Sequence, residues 1–540
     1  MKKSDANNFI KHGSILAIAS VISRVIGLLY RIPMNAIIGD EANGLYGYAF
    51  EVYSIALILS SYSMPLAVSK LLSGKFAKRE YKNGYSIFKC AMVFSFISGL
   101  VMALAIFFAA PLIEKLSNYE GLTLPLRVLS PTIFVVALAG TLRGFFQSRR
   151  TMIPTALSQL VEQVVNALVS VGAAAIFVSI AATPLGKISG GAAGGTLGTL
   201  FGAVIALAFL AFVFFAYMPK FKALFAGDHH LRVDSTGTIY KMLFATIIPV
   251  ILSQTVYQLS GVIDGSIFGS MYHGDDTSAL YGIYGGKYRV LVNVPNAIAS
   301  SMASSMIPTL VSMWTVGNYS QFKNRLAASV KVNMVIAFPC AIGLAVLGTP
   351  IMRLLFPSTD YTTAGIMLNW GAIAVIFYSL STVTNAALQG MNLMNRPVIH
   401  AAISLALHVV LVVLLLKFTK LGIYSLVIGN VTFPIVVCVL NWIAIGREAN
   451  YSQEVKTTFL LPALASIVMG ALCFGINFLF NLIPGNSYFV NAASIIVCIL
   501  VAVVIYFGVL FKTKGLTHED LLDFPMGLRI ERIAKKIKLM

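Results

Sequence analysis

Two arginines lie inside the first apolar stretch of the chain, where a membrane-spanning helix would hold them far from water. Ser20, Arg24, Gly27 and Arg31 are spaced by 4, 3 and 4 residues and therefore share one helix face. A guanidinium in hydrocarbon costs from roughly 3 to more than 10 kcal/mol, so this face must contact protein or a water-filled cavity. Because guanidinium groups bind phosphate through paired hydrogen bonds, the stripe predicts a phosphate or pyrophosphate site. Pairing of each arginine with a nearby carboxylate is the alternative.

A second polar stripe occurs in the other half of the chain. Arg289, Asn293, Asn296 and Ser300 share one face of an apolar helix, and Lys287 lies nearer the outer end of that helix, where it can snorkel. If the two halves face each other, both stripes line one central cavity. The candidate substrate-binding residues are therefore the two arginines of the first stripe together with Lys287, Arg289, Asn293 and Asn296 of the second.

Three acidic residues lie at membrane depth: Glu51, Glu162 and Asp264. Acids at such depth carry a proton, hold Na⁺ or balance the charge of the arginines. We favour charge balance for Glu51 and a structural pairing for Glu162. For Asp264 a counter-ion role and an ion-coupling role both stay open.

Other kinds of chemistry receive little support. His400 and His408 share a helix face without an acid beside them, which favours a core or cavity-lining role over a metal site. The five cysteines are isolated in apolar runs, which is typical of small core residues. No GxxxxGK[ST] loop occurs, and the glycine run Gly190–Gly202 predicts close helix packing instead. We expect no cofactor, and we expect Na⁺, H⁺ or the membrane potential to drive any transport.

The composition indicates that most of this chain lies in a lipid bilayer. The 540 residues are 58% hydrophobic and 11% charged, with a mean hydropathy of +0.84. The apolar runs are continuous, so we predict an all-α polytopic membrane protein with about fourteen spans. The formal charge is +19, and we attribute it to basic loops that lie on one side of the membrane. Because basic loops face the cytoplasm, both termini are predicted to be cytoplasmic. The charge therefore does not indicate nucleic acid as a partner.

An internal repeat divides the chain. The tripeptide Leu45–Gly47 recurs at Leu280–Gly282, which indicates two related six-helix lobes arranged as parallel repeats. The predicted organisation is an N-terminal lobe at 1–218, a cytoplasmic linker at 219–238, a C-terminal lobe at 239–446, two further spans at 447–511 and a basic amphipathic tail at 512–540.

Several motifs resemble one superfamily over nearly the whole chain. They are Ser23–Gly27 followed by Arg31, the GLYGY sequence at Gly44–Tyr48, Pro65–Lys70 and Leu388–Gly390. This combination resembles the multidrug/oligosaccharidyl-lipid/polysaccharide (MOP) flippase superfamily. The predicted number of spans is similar to that of the Gram-positive branch of this superfamily. That branch contains lipid II flippases of the MurJ type and the stage V sporulation protein B group.

The resemblance implies two lobes around a cationic cavity and a groove for a lipid tail along the last two helices. Arg24 matches a family arginine directly, and Arg289 matches one to within about one residue. Gram-negative members of the superfamily have a pair of arginines in the second span, but residues 59–65 of this chain read LSSYSMP and lack that pair. Lys70 or Arg31 would have to supply the missing positive charge for pyrophosphate.

The implied activity is the movement of an undecaprenyl-pyrophosphate-linked peptidoglycan precursor, lipid II, from the inner to the outer leaflet of a Gram-positive cytoplasmic membrane. The alternatives are export of another lipid-linked oligosaccharide or polysaccharide, drug export, a membrane glycan enzyme, and a scaffold for cell-wall enzymes. Short outer loops argue against an enzyme. We expect a monomer that contacts membrane lipids and cell-wall synthesis enzymes.

Overall fold

The computed structural model describes residues 19, 22–60, 63–149, 151–228, 234–274, 276–483, 487–517, 520–521, 532 and 536. Every regular element within these ranges is helical, so the predicted all-α class is confirmed. The chain divides into two compact units, Met1–Gly282 and Ile283–Met540. The predicted amphipathic helix of the tail lies almost wholly outside the described residues.

The first unit begins with helical residues 22–29. Its helices are α1 (Arg31–Ser60), α2 (Met64–Ala77), α3 (Tyr81–Ser117), α4 (Thr123–Ser148), α5 (Ile153–Ile180), α6 (Pro184–Ala223), α7 (Thr236–Met271) and α8 (Thr277–Ile283), whose last residue already belongs to the second unit. Aromatic side chains from α3, α4 and α6, among them Phe88, Phe145 and Phe221, pack into a buried core. This core holds α4 in place.

The second unit opens with a π-helical turn, Tyr284–Tyr288. It continues through α9 (Arg289–Thr315), α10 (Tyr319–Val346), α11 (Gly348–Leu355), α12 (Tyr361–Gly371), α13 (Ala374–Gly390), α14 (Asn395–Phe418), α15 (Tyr424–Ala449), α16 (Leu461–Asn481) and α17 (Tyr488–Lys512). A buried cluster that includes Met469, Cys498 and Tyr506 joins α10, α16 and α17. Cys438, Cys473 and Cys498 are buried, as expected for small core residues.

Length and hydropathy identify the membrane spans. Ten candidate spans among the described helices are long and apolar enough to cross a bilayer, and α12 with α13, bent by 52°, would make an eleventh. The chain is thus a multi-pass membrane protein. The count of about fourteen spans stays a prediction.

Small residues allow α5 and α6 to pack backbone against backbone. A Cβ atom at Gly194 would lie 2.6 Å from the backbone of Ala174, and one at Gly198 would lie 2.5 Å from the carbonyl oxygen of Asn166. Only hydrogen fits at these positions. The predicted role of the glycine run in close helix packing is therefore confirmed.

The two copies of the repeated tripeptide lie next to each other within the first unit. A Cβ atom at Gly44 would overlap the carbonyl oxygen of Ser278, and one at Gly282 would overlap that of Asp40. Asn43 Nδ2 donates to the carbonyl oxygen of Gly282 at 2.9 Å. The start of this segment is marked by Gly39, whose φ of 74° breaks the regular geometry of α1 just before Asp40 and Glu41.

The stretch predicted as a linker is bound to the first unit. Asp228 accepts a hydrogen bond from the backbone N–H of Lys82 at 2.7 Å, and Asp234 pairs with Lys75 at 2.7 Å. Helix α7 also packs on α1, where the hydroxyls of Tyr48 and Ser266 lie 2.7 Å apart. The boundaries of the two lobes at 218 and 239 stay predictions.

Candidate functional site

Arg24 lines an open cavity of about 320 Å³ in the first unit. The walls come from the N-terminal helical segment, from α4 and from the first half of α5. The lining residues are Ser23, Arg24, Gly27, Arg143, Gln159, Glu162 and Gln163. All seven are polar or glycine, although each of these helices is otherwise strongly apolar.

Arg143 is the charged residue of this cavity that our reading of the sequence missed, along with Gln159 and Gln163. Its Nη2 lies 2.6 Å from Oε2 of Glu162, and its Nε donates to the hydroxyl of Ser158 at 3.1 Å. The side chains of Arg143 and Glu162 are 13% and 21% exposed, so the pair is largely withdrawn from water. Glu162 thus balances the charge of one arginine of the cavity.

Two other polar groups of the cavity are incompletely bonded. Ser23 Oγ and Gln159 Oε1 are buried and make no hydrogen bond with any residue that the structure describes. Buried polar atoms in proteins almost always have a partner, so these two atoms favour a polar guest. With two guanidinium groups and one carboxylate, the lining carries a net charge of +1 and suits an anion.

Arg31 is not part of this lining. Its guanidinium carbon lies 5.9 Å from the centre of the Tyr46 ring, within range of a cation–π contact. The hydroxyl of Tyr46 is 3.0 Å from that of Tyr30, which joins α1 to the turn before it. The two arginines of the predicted stripe therefore have different surroundings.

The other two acids lie along the contact between α1 and α7. A Cβ atom at Gly261 would overlap the carboxylate of Glu51, so that carboxylate lies directly on the backbone of α7. Asp264 follows one turn later on α7 and is 4% exposed. Neither acid lines the Arg24 cavity.

The second stripe is spread over several environments in the second unit. Arg289 begins α9 directly after the π-helical turn, and its guanidinium carbon lies 5.9 Å from the centre of the Tyr284 ring. π-helical turns occur frequently at functional positions in helices. Asn293 is exposed, whereas Asn296 accepts a hydrogen bond from Ser379 at 3.3 Å.

Lys287 differs from its predicted snorkelling position. Its side chain is fully buried, and its ammonium group donates to the carbonyl oxygen of Asp360 at 2.9 Å. The π-helical turn aims this residue into the unit instead of along the helix towards water. In this conformation Lys287 joins α12 to the turn and does not face open space.

The histidines are part of the polar core of the second unit. His400 Nδ1 lies 2.7 Å from Oδ1 of Asn441, and Asn441 in turn donates to Thr384 at 3.0 Å. His408 is buried as well. This agrees with the core role expected from their spacing.

Known proteins resemble this chain over most of its length. Residues 9–314 match the model of the family described as polysaccharide biosynthesis protein. The lipid II flippase MurJ of Bacillus subtilis (strain 168) is 26% identical over 483 residues, which are 84% of this chain and 86% of the relative. Stage V sporulation protein B of the same organism is 24% identical over 528 residues, which are 96% and 98% of the two chains.

Solved structures share the fold. A lipid II flippase MurJ in an inward closed conformation aligns with a TM-score of 0.64 and 18% identity, covering 91% of this chain and 97% of the other. An inward-facing multidrug resistance MATE transporter of the MOP superfamily aligns with a TM-score of 0.62 and 17% identity, covering 79% and 98%.

Two of these relatives are named for an activity, a lipid II flippase and a multidrug transporter, which agrees with the expected transport protein rather than an enzyme. The matched family model spans more than half of the chain, and the fold and the motifs agree with it. The chain belongs to the polysaccharide biosynthesis protein family, and it shares its fold with MurJ and with a MATE transporter of the MOP superfamily.

Proposed function

We propose that this protein is a flippase that moves an undecaprenyl-pyrophosphate-linked sugar, lipid II, from the inner to the outer leaflet by alternating access. The named activity of the Bacillus subtilis relative and its coverage of most of both chains support the proposal. The cell is a Gram-positive-type bacterium, and both termini lie in the cytoplasm. The protein acts as a monomer within the cytoplasmic membrane, in contact with its lipids and with cell-wall synthesis enzymes.

The observation that carries the proposal is the Arg24 cavity. Two guanidinium groups line one open space within a membrane-spanning unit, together with polar atoms of Ser23 and Gln159 that bond to no residue in the described part of the chain. A diphosphate offers oxygens on two phosphorus atoms, so each planar guanidinium can bind one phosphate through two hydrogen bonds. The phosphate bound by Arg143 would replace the carboxylate of Glu162 as the partner of that arginine.

The remaining predicted residues take supporting parts in this proposal. Arg31 and Arg289 bind the diphosphate at another stage of transport, and Asn293 and Asn296 bind the sugar. Lys287 would have to leave its bond with Asp360 to take part. The lipid tail stays in the bilayer along α16 and α17.

The membrane potential or an ion gradient gives transport its direction, and no bound cofactor takes part. Asp264 is the candidate coupling group because its carboxyl group is buried on α7, in a stretch that the sequence predicts to lie at membrane depth. Glu51 balances positive charge at the same helix contact.

A second candidate is a lipid-linked oligosaccharide other than lipid II, handled during sporulation. Stage V sporulation protein B matches 96% of this chain, whereas the lipid II flippase of the same organism matches 84%. Both candidates share the lipid diphosphate and differ in the sugar, so the same cavity serves either one.

Reconstitution of the full chain into proteoliposomes tests the proposal. We expect transport of lipid II by the wild type, a loss of about tenfold or more in Arg24→Ala, and a similar loss in Arg143→Gln, because each removes charge-assisted hydrogen bonds. Arg127→Gln is the matched control, since Arg127 lies on the same helix as Arg143 and contacts Phe107 at an exposed position.

The outcomes separate the candidates. Transport of a drug panel without lipid II transport would contradict the flippase proposal. Transport of a different undecaprenyl-pyrophosphate sugar, again lost in Arg24→Ala, would favour the second candidate. Full activity of both cavity variants would contradict the assignment of the site.

A further inference from the structure

A second polar cavity, of about 370 Å³, lies in the second unit where α16 ends and α17 begins. Helices α10, α11 and α12 complete its walls. The lining residues are Val346, Thr349, Pro350, Arg353, Tyr361, Asn477, Asn481 and Asn491. No part of the Arg24 cavity contributes to it.

The lining has the composition of a binding site for an anion with neighbouring hydroxyl groups. Arg353 is the one charged residue among the eight, so the lining carries a positive charge. Three asparagines supply amide groups that donate and accept hydrogen bonds. A phosphate on the guanidinium and hydroxyl or carbonyl groups on the amides would match these side chains.

Hydrogen bonds fix two of the asparagines in place. Asn491 is buried and donates from Nδ2 to the carbonyl oxygen of Pro350 at 3.0 Å. Asn477 accepts from the hydroxyl of Ser494 through Oδ1 at 3.1 Å. These bonds use one end of each amide, so the other ends, Oδ1 of Asn491 and Nδ2 of Asn477, are oriented in advance.

The surroundings of the cavity are apolar and exposed. The last turn of α16, the residue directly after it and the first turn of α17 carry large exposed side chains next to the polar residues. They are Phe478, Leu479, Leu482 and Phe489. In a membrane-spanning helix pair such residues contact acyl chains, so a guest would meet hydrocarbon beside the polar cavity. An amphiphile fits this combination better than a soluble anion does.

We propose that this cavity binds the phosphate headgroup of a membrane lipid, with Arg353 on the phosphate and the asparagine amides on the adjoining hydroxyl groups. The lipid tail lies along the exposed apolar residues of α16 and α17. Two sources offer this chemistry: a bulk anionic phospholipid such as phosphatidylglycerol, and the polyprenyl diphosphate of the proposed cargo. The inference stands without the proposed function, because a phospholipid alone would occupy the site.

Native mass spectrometry of the full chain in detergent tests the site with phosphatidylglycerol, undecaprenyl diphosphate and inorganic phosphate as separate probes. We expect Arg353→Gln to weaken binding of at least one lipid about tenfold, and Arg353→Lys to weaken it less, because lysine keeps the charge but loses the planar fork. Arg396→Gln is the control, since this exposed arginine of the same unit lies 3.9 Å from Glu448.

A second variant keeps the test independent of Arg353. Asn477→Leu fills the cavity while leaving the cation in place, and we expect it to weaken lipid binding as well. Circular dichroism and tryptophan fluorescence verify that each variant is folded. The undecaprenyl diphosphate measurements are repeated in Arg24→Ala, so that loss at the first cavity and loss at the second are measured separately.

Weaker binding of phosphatidylglycerol alone assigns the site to bulk lipid, and weaker binding of undecaprenyl diphosphate alone assigns it to the cargo. The proposal is overturned if folded Arg353→Gln and Asn477→Leu bind both lipids as the wild type does. Binding of inorganic phosphate as tight as that of the lipids would also overturn it, because the apolar surroundings would then add nothing.

Discussion

Removal of the Arg143 guanidinium should destabilise the first unit by a measurable amount. Arg143→Gln deletes the 2.6 Å contact with Glu162 and the 3.1 Å hydrogen bond to Ser158. A hydrogen bond to a charged group contributes roughly 1.5–3 kcal/mol, and breaking a fully buried ion pair costs about 3–5 kcal/mol. Because the two side chains retain 13% and 21% exposure, we expect a cost of about 2–3 kcal/mol.

A double-mutant cycle isolates the pair. The free energy of unfolding is measured in mixed micelles for wild type, Arg143→Gln, Glu162→Gln and the double variant. Circular dichroism is the suitable signal, since the three tryptophans, Trp314, Trp370 and Trp442, all lie in the second unit. We expect a coupling energy of about 1–3 kcal/mol, with the double variant less destabilised than the sum of the single variants.

Additive single effects, to within about 0.5 kcal/mol, would refute this reasoning, because independent sites add to that accuracy. Arg127→Gln again supplies the control on the same helix and should change stability by no more than about 0.5 kcal/mol. A large effect of the control would mean that any arginine of α4 stabilises the unit by its charge alone.

Three further predictions follow from local geometry. Burial alone would raise the pKa of Asp520, but hydrogen bonds from Lys331 and a nearby threonine outweigh it and lower that pKa. The stabilisation by Asp520 is therefore present above about pH 4 and is lost as the pH falls through the lowered pKa. The difference in unfolding free energy between wild type and Asp520→Asn should thus be largest at pH 7 and should shrink as the pH falls below about 4. Gly198→Ala should lower the free energy of unfolding by about 1–3 kcal/mol, because its Cβ would meet the backbone of α5. Gly172→Ala, with open space around it, should change it little when both are measured by circular dichroism in mixed micelles. Lys287→Ala should destabilise the second unit by about 2–4 kcal/mol, measured by tryptophan fluorescence, because it empties a fully buried volume and removes a hydrogen bond; Lys287→Met should cost less.

Much of the fold could be predicted from the sequence because the bilayer imposes simple rules. Continuous apolar runs indicated membrane helices, and the spacing of Gly190–Gly202 indicated helices in close contact. The break at Gly39 and the π-helical turn Tyr284–Tyr288 were not predictable from composition. Both depend on how neighbouring helices pack, and the periodicity of a sequence carries no information about that packing.

The candidate site was predicted less completely. Arg24 was found because it interrupts an apolar run at helical spacing with other polar residues. Arg143 interrupts such a run as well, so the same argument applied to it would have found it. Its pairing with Glu162 crosses from α4 to α5 and follows from tertiary packing alone. The burial of Lys287 was missed for the same kind of reason, since the turn that redirects it is set by its surroundings.

The contact between the two copies of the repeated tripeptide has a consequence for biosynthesis. Asn43 and Gly282, which share a hydrogen bond, are 239 residues apart in the chain. At roughly 5–20 residues per second, a ribosome needs roughly 10–50 s to make the intervening segment. During that time the side-chain amide of Asn43 has to find another partner, such as water or a translocon side chain. The first unit can therefore complete its folding only after α8 has been synthesised, long after the first helix of the unit has entered the membrane.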